Sequence, residues 1–442
     1  MTRTGLEEFF QRSVPRPASG AAEAAILAAG RAAGSSYPSP EGATPGDEKN
    51  GSVDVASGQT VRACRRWQHA FALQHKDRRY YEVVEDTIHP EFDYRYFVIR
   101  DARGEIRALQ PFFVLDQDIL VGIRPYLGPL IDAIRMWWPR FLFMKTMMVG
   151  CVAGEAHLDD ASECARAANT ALLAAAIVRH ARALGARLIV LKEFPRRYRA
   201  ALACFVRRGF TRIPSMPMTR LNIDYASFDD YMRIALNSAT RRKLRKKFRV
   251  TELDIPIDLE VSNDVASVVD EVFPLYLQVY ARSTLHFEKL TKEYFCQLGR
   301  AMPDKVRFFV WRRGGKIVAF GECLVHGDTI FAEYLGLDYG VALELHLYHY
   351  VYRDLIRWAI ANKLKWFQSS GLNYDPKLHL RHRLEPLDLY VKHTSSIVNA
   401  VMRVALPWLE PTRHDATLKK FPNYAELWDG GAQSDDGKRR GE

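Results

Sequence analysis

Two acidic residues, Glu322 and Glu333, stand in a run of alternating apolar positions, GKIVAFGECLVHGDTIFAEYLGLDY (Gly315 to Tyr339). The period of two predicts a hairpin. A two-residue turn at Gly327 and Asp328 makes position 322 face 333 across the strands, with both carboxyls on one side of the sheet. A three-residue turn at His326 to Asp328 puts them on opposite sides. Like charges that close raise at least one pKa toward neutrality, which suits a general base. The same residues also read as a solvated face with ion pairs to Arg312 or Arg313.

Further along, His346 and His349 are one helical turn apart, a spacing for metal binding or proton shuttling and equally for packing among tyrosines. No third ligand joins them. The six cysteines form no CxxC pair, so no metal site, zinc or otherwise, and no disulfide framework is expected. Tyr374 and Lys377 follow Gly371 in a loop after a short apolar strand. Loop polar residues beside a cleft often bind ligands; Tyr374 could protonate a leaving group, and either residue could simply sit on the surface. In VGCVAGEAHLDD (Val149 to Asp160), Gly150 and Gly154 with Glu155 and His157 mark a strand-to-helix turn or a site in the first half. Seven cations between Arg241 and Arg249 leave Leu244 and Phe248 as an apolar seam. Such a helix grips an anionic partner, tRNA or a membrane surface, or is a solvated face.

The elements that must position these residues run strand, strand, helix, strand through Gly371. That order suits an acyl-transfer fold, whose sheet splays where the hairpin's second strand ends. The segment 161–184 predicts a helix, with Asp160 as its cap and Glu163 completing a capping box. Strands are expected at 94–101, 105–115, 145–152, 187–193 and 218–223, and a second helix near Pro195. The connector SFDDYMRIALNSATRRKLRKKFRV predicts two helices capped by Ser227 and Ser238. A helix at 265–282, strands at 306–312, 316–325 and 329–337, a helix at 342–362 and a strand at 365–369 then repeat the first half's order. The expected fold class is α/β, with two mixed twisted sheets flanked by helices. Its divisions are a disordered tail at 1–59, a domain at 60–225, a basic connector at 226–255, a second domain at 256–428 and a tail at 429–442.

The bounds agree with two domains. A chain of 442 residues, 48% hydrophobic, buries more than one core. The net charge of +11 favours anionic partners. Residues 13–59 are rich in Ala, Gly, Ser and Pro, with too few large apolar residues to offset ordering. The N-terminus lacks the pattern of a signal peptide, and the apolar run 136–152 is broken by Pro139, Arg140 and Lys145. A cytoplasmic protein is expected, with a peripheral place at the inner membrane surface as the alternative.

With this order in place the chain resembles the GNAT acyltransferase superfamily, and within it tandem-GNAT proteins of the FemAB-like type. SFDDYMRIALNSATRRKLRKKF, LHLYHYVYRDLIRWAIANKLKWF and SSGLNYDPKLHLRHRLEP carry the likeness, over roughly residues 220 to 395. Tyr348 stands where the family has an acidic residue, and YLGLDYGVALEL lacks the family's pyrophosphate loop pattern. The resemblance implies two GNAT-like domains and N-acyl transfer from acetyl-CoA or another acyl-CoA to an amine. The acceptor would be a small molecule or a component of the bacterial envelope. Glu322, Glu333 and Tyr374 would be catalytic. Leu335, Gly336, Leu337, Gly340 and Lys377 would contact the donor, and His346 and Gly371 the substrate. Two alternatives keep the fold: an aminoacyl-tRNA donor, or a non-catalytic binding module.

Overall fold

The computed structural model describes residues 51–88, 91–118, 136–137, 143–159, 162–252, 255–283 and 287–429. The tail expectations for 1–50 and 430–442, and the cap assigned to Asp160, lie outside them. Residues 51–59, expected in the tail, are folded. β1 (Gly51–Ala56) alternates buried and exposed positions around Val53 and pairs antiparallel with a later strand. Its signal is two valines in a Gly- and Ser-rich context, too short a run to read as a strand.

Next come helices α1 (Gly58–Arg62) and α2 (Arg78–Thr87). Strands β2 (Asp93–Asp101), β3 (Ile106–Asp118) and β4 (Phe143–Val149) form an antiparallel meander. Helix α3 (Glu163–Ala183), capped by the Ser162 side chain on the Ala165 amide, leads to β5 (Leu188–Pro195), which pairs parallel with β4. Helix α4 (Arg199–Arg207) and strand β6 (Thr211–Pro214) follow.

The second unit repeats this plan. β7 (Met218–Asn222) precedes α5 (Phe228–Ala235), where Ser227 is the cap as expected, and α6 (Ser238–Thr251), where the cap is Asn237. The seam expected on α6 is present, with Leu244 and Phe248 buried in the core. Then come β8 (Ile257–Ser262), α7 (Val269–Tyr280), α8 (Lys292–Ala301), β9 (Val306–Arg313), β10 (Lys316–His326) and β11 (Thr329–Leu337). Helix α9 (Leu347–Ala361) leads to β12 (Trp366–Ser369), parallel to β11. The chain ends with α10 (Tyr374–His379), β13 (Arg383–Glu385), β14 (Leu387–His393) and α11 (Ser396–Leu409).

Two seven-stranded mixed sheets result, ordered β1-β2-β3-β4-β5-β14-β6 and β13-β7-β12-β11-β10-β9-β8. Each has four antiparallel strands, a parallel neighbour and two further antiparallel strands. The sixth strand of each sheet is exchanged. β14, near the C-terminus, completes the first sheet, and β7, which precedes the basic connector, lies in the second. The division at 225/226 and a second domain confined to 256–428 therefore do not follow the sheets. Ladder pairing, not chain order, decides which strands share a core. No helix among the described residues is long and apolar enough to cross a membrane.

Candidate functional site

The hairpin of β10 and β11 turns on Gly327 and Asp328, with Gly327 at φ +58° and His326 opposite Thr329. That turn alone would set Glu322 against Glu333. The register instead slips after Cys323–Ala332, so Glu322 faces Tyr334 and Glu333 is the extra residue of a bulge. β12 pairs with β11 only from Thr329 to Ala332, while β11 runs on to Leu337. The sheet opens at the bulge. Because the Asp338 amide donates to Val318 O, strand alternation turns the backbone groups of Gly336 to β10 and those of Leu335 and Leu337 into the opening. Gly336 has a second reason to lack a side chain. A Cβ there would lie 2.8 Å from the Tyr276 amide nitrogen of α7.

Glu322 is fully buried, and Oε2 has no hydrogen-bond partner. Burial, and next the Glu333 charge, push its pKa well above the usual carboxylate range, only partly offset by Lys76 and Tyr294. Tyr80 donates to Ala153 O at 3.4 Å, and the Tyr294 hydroxyl, 3.1 Å from that of Tyr80, donates to Glu322 Oε1 at 3.3 Å.

Glu333 meets a partner from far away in the chain. Lys76 Nζ donates to Glu333 Oε2 at 3.0 Å and to Glu155 Oε2 at 2.8 Å, and is completely buried. Burial opposes its charge, yet the two carboxylates outweigh it and hold the ammonium protonated. Burial would raise Glu155, but Lys76 and then His75 carry it well below the usual range. His75 stacks on Phe331 with centroids 3.8 Å apart, and its Nε2 is 2.9 Å from Glu155 Oε1. His75, Glu155 and His157 each bring a ligand atom within 4.8 Å of the others, a spacing that suits a metal. Two contacts oppose one. The Lys76 ammonium already pairs with Glu155 Oε2, and Arg197 Nη2 donates to His157 Nδ1 at 3.0 Å, which puts that ring's hydrogen on Nε2.

A family model described as FemAB-like, peptidoglycan biosynthesis/recognition, matches residues 137–379, more than half of the chain. The chain belongs to the FemAB-like family. Among solved structures, the L-PGS of Bacillus licheniformis is similar with a TM-score of 0.47 at 13% identity, over 79% of this chain and 96% of that one. FemX gives 0.43 at 10%, over 70% and 90%. A tandem GNAT protein from the clavulanic acid biosynthesis pathway gives 0.43 at 11%, over 78% and 99%. No curated protein sequence matches.

Several of the residues expected at the site make other contacts in the structure. Tyr374 is buried and donates to Pro217 O at 2.8 Å, close to Gly371, whose missing Cβ leaves room for that hydroxyl. Lys377 is buried too, donating to Ser370 O and Leu372 O. Burial lowers its pKa to about 7, so it braces the loop and offers no exposed cation to a donor. His346, at φ +49°, starts α9, and the Lys247 ammonium contacts His349 Nε2. The turn expected to hold the donor at Gly340 is closed on itself. Tyr339 N–H donates to Gln278 Oε1, Gly340 N–H to Asp338 Oδ1, and the amides of Val341 and Ala342 to Asp338 O. Sequence reasoning marked Glu155 and His157 in the first half but missed Lys76, His75, Tyr80 and Tyr294. Only a buried His-Lys pair beside an acid-capped helix could have drawn attention to 75–77.

Proposed function

We propose that the protein transfers an acyl or aminoacyl group to an amine at the open edge of β11. The observation that carries this is the coincidence, at one bulge, of the end of β12 pairing, a fully buried carboxyl at Glu322 with an unpartnered oxygen and an ion-paired carboxylate at Glu333. A carboxyl whose pKa is raised by burial, beside one held in an ion pair, suits one proton donor and one acceptor. In this reading Glu333 takes the proton of the attacking ammonium, and Glu322, fed by Tyr294, protonates the departing group. The backbone at Leu335 and Leu337 steadies the acyl carbonyl.

The donor is best read as aminoacyl-tRNA. Arg242, Lys243, Arg245, Lys246 and Arg249 are exposed on α6 and carry no ion pair among the described residues. A coenzyme A thioester is the second reading, favoured by the unpaired edge itself. Against it stands the turn after β11, whose amides are occupied by Gln278 and Asp338 and so are not offered to a phosphate. The experiment is transfer of a labelled acyl group to amine acceptors from charged tRNA and from a panel of acyl-CoA thioesters, with the salt dependence of tRNA binding measured alongside. Transfer from tRNA, with binding that weakens steeply with salt and is lost in Arg245→Glu/Lys246→Glu, is expected. Glu322→Gln should slow transfer by about 100-fold or more. Transfer from acyl-CoA alone overturns the donor, and transfer from neither overturns the proposal.

A further inference from the structure

Helix α11, SIVNAVMRVALPWL, is apolar on two opposite faces. One face is inside: Met402 and Leu406 pack on the core, and Asn399 is buried between the Gly209 carbonyl and the His393 amide, at 3.0 Å from each. On the other face Ile397, Val401, Val404 and Trp408 are 81, 64, 70 and 70% exposed. Steps of four, three and four residues line them up in one stripe ~16 Å long. Val398 and Leu409 widen one edge of it. Single exposed apolar residues are ordinary, but a contiguous stripe of six on one helix marks a binding surface.

Cations rim this stripe. At its N-terminal end Arg182 donates to Thr394 O and Arg187 O accepts from the Thr394 amide. Arg208 lies beside them, its carbonyl taking the Lys392 ammonium, and burial together with Arg182 and Arg208 lowers the pKa of that lysine. Arg403 is exposed on the flank of the helix. At the C-terminal end the Arg413 guanidinium lies 5.7 Å from the Trp408 ring centroid. The acids of this stretch turn inward. Glu410 is buried against the amides of Thr412 and Arg413, and Asp415 accepts from those of Thr417 and Leu418.

Apolar stripe and cationic rim together select the occupant. A second copy would set one rim of arginines against another, at a cost in repulsion. A bilayer with anionic headgroups offers hydrocarbon to the stripe, phosphates to the rim and an interface for tryptophan. We infer that α11 lies in the surface of an anionic phospholipid membrane and holds the protein there. The inference is independent of the donor and of the site at Glu333.

The test is co-sedimentation of the full chain with phosphatidylcholine vesicles, with and without phosphatidylglycerol. Binding to the phosphatidylglycerol vesicles is expected, weakened at least about tenfold by Val401→Asp/Val404→Asp and severalfold by Arg403→Glu or added salt. All these side chains are exposed, so the melting temperature should not move, and that measurement separates lost docking from lost folding. Absence of binding by the wild type, or equal binding by the double variant, overturns the inference. So does a wild-type dimer in light scattering that Val401→Asp/Val404→Asp converts to monomer, since the stripe would then face a second copy.

Discussion

The two sheets share one plan and differ at one place, the point where the parallel pair begins to part. In the first sheet β4 pairs with β5 from Thr146–Leu188 to Val149–Leu191 and stops. Gly150, at φ +131°, then turns the chain back, and the following loop fills the gap. Ala156 N–H donates to Glu193 O at 3.1 Å, and Lys192 Nζ to Gly154 O at 3.1 Å. In the second sheet β11 continues five residues beyond Ala332, its last residue paired with β12 (opposite Ser369), and nothing of β12 follows it. The plug of the first wedge carries Glu155 and His157 to the mouth of the second. One copy has closed its opening and lends residues to the edge of the other, so the two copies are joined through Lys76 at that edge.

Lys76 is the sharpest place to break that description, because it joins the copies by binding Glu155 and Glu333 together. Lys76→Met leaves two buried carboxylates without their cation. A loss of about 3–5 kcal/mol is expected in denaturant unfolding. A loss under about 1 kcal/mol, the size of a surface pair, would mean that the halves are not joined there.

Gly154→Ala is a smaller and more pointed change. Its φ is +83°, and a Cβ would stand 2.2 Å from Lys76 Nζ. Gly185 supplies the control, with φ +72° and nothing within 4 Å of a Cβ. Both alanines should lose about 1–2 kcal/mol to the left-handed backbone. Gly154→Ala alone should also displace Lys76 and reduce transfer, although it lies in the first unit. Equal activity in the two variants would disconnect the plug from the site.

The hairpin and the strand-helix-strand order of both halves were legible because alternation and helical period report burial directly, while the length of the hairpin turn was left open between two residues and three. The bulge was not legible. An extra residue leaves no mark on an alternating pattern until the partner strand is placed, so Glu333 read either as the partner of Glu322 or as a residue of the opposite face. Lys76 lies 257 positions from Glu333, and no local pattern spans that distance. The exchange of β7 and β14 was hidden for the same reason: pairing across sheets is not a property of either segment. Lys377 looked like an accessible loop cation, since sequence reveals residue type but not depth. Helix α11 escaped because apolar residues on both faces erase the one-sided period by which a helix is recognised.

A pH series tests one carboxyl from each copy, Glu155 and Glu322, which lie on either side of the Lys76–Glu333 pair. Glu155 is held below its ordinary pKa, so its contribution to stability is present above about pH 4.5 and lost as pH falls through its folded value. Glu322 is the reverse. Its folded pKa is raised, so its contribution is full below about pH 4.5 and lost as pH rises toward the folded value. Glutamine mimics a protonated carboxyl and can still accept from Tyr294, so Glu322→Gln should change stability by under about 1 kcal/mol at low pH. Above about pH 4.5 the wild type should then lose ground to the variant, by at most about 1.4 kcal/mol per pH unit. Urea unfolding of both proteins from pH 4 to 8 measures this difference. A flat difference across that range would mean Glu322 ionises as an ordinary carboxylate, and the division of labour between a proton-bearing Glu322 and an ion-paired Glu333 would have to be abandoned.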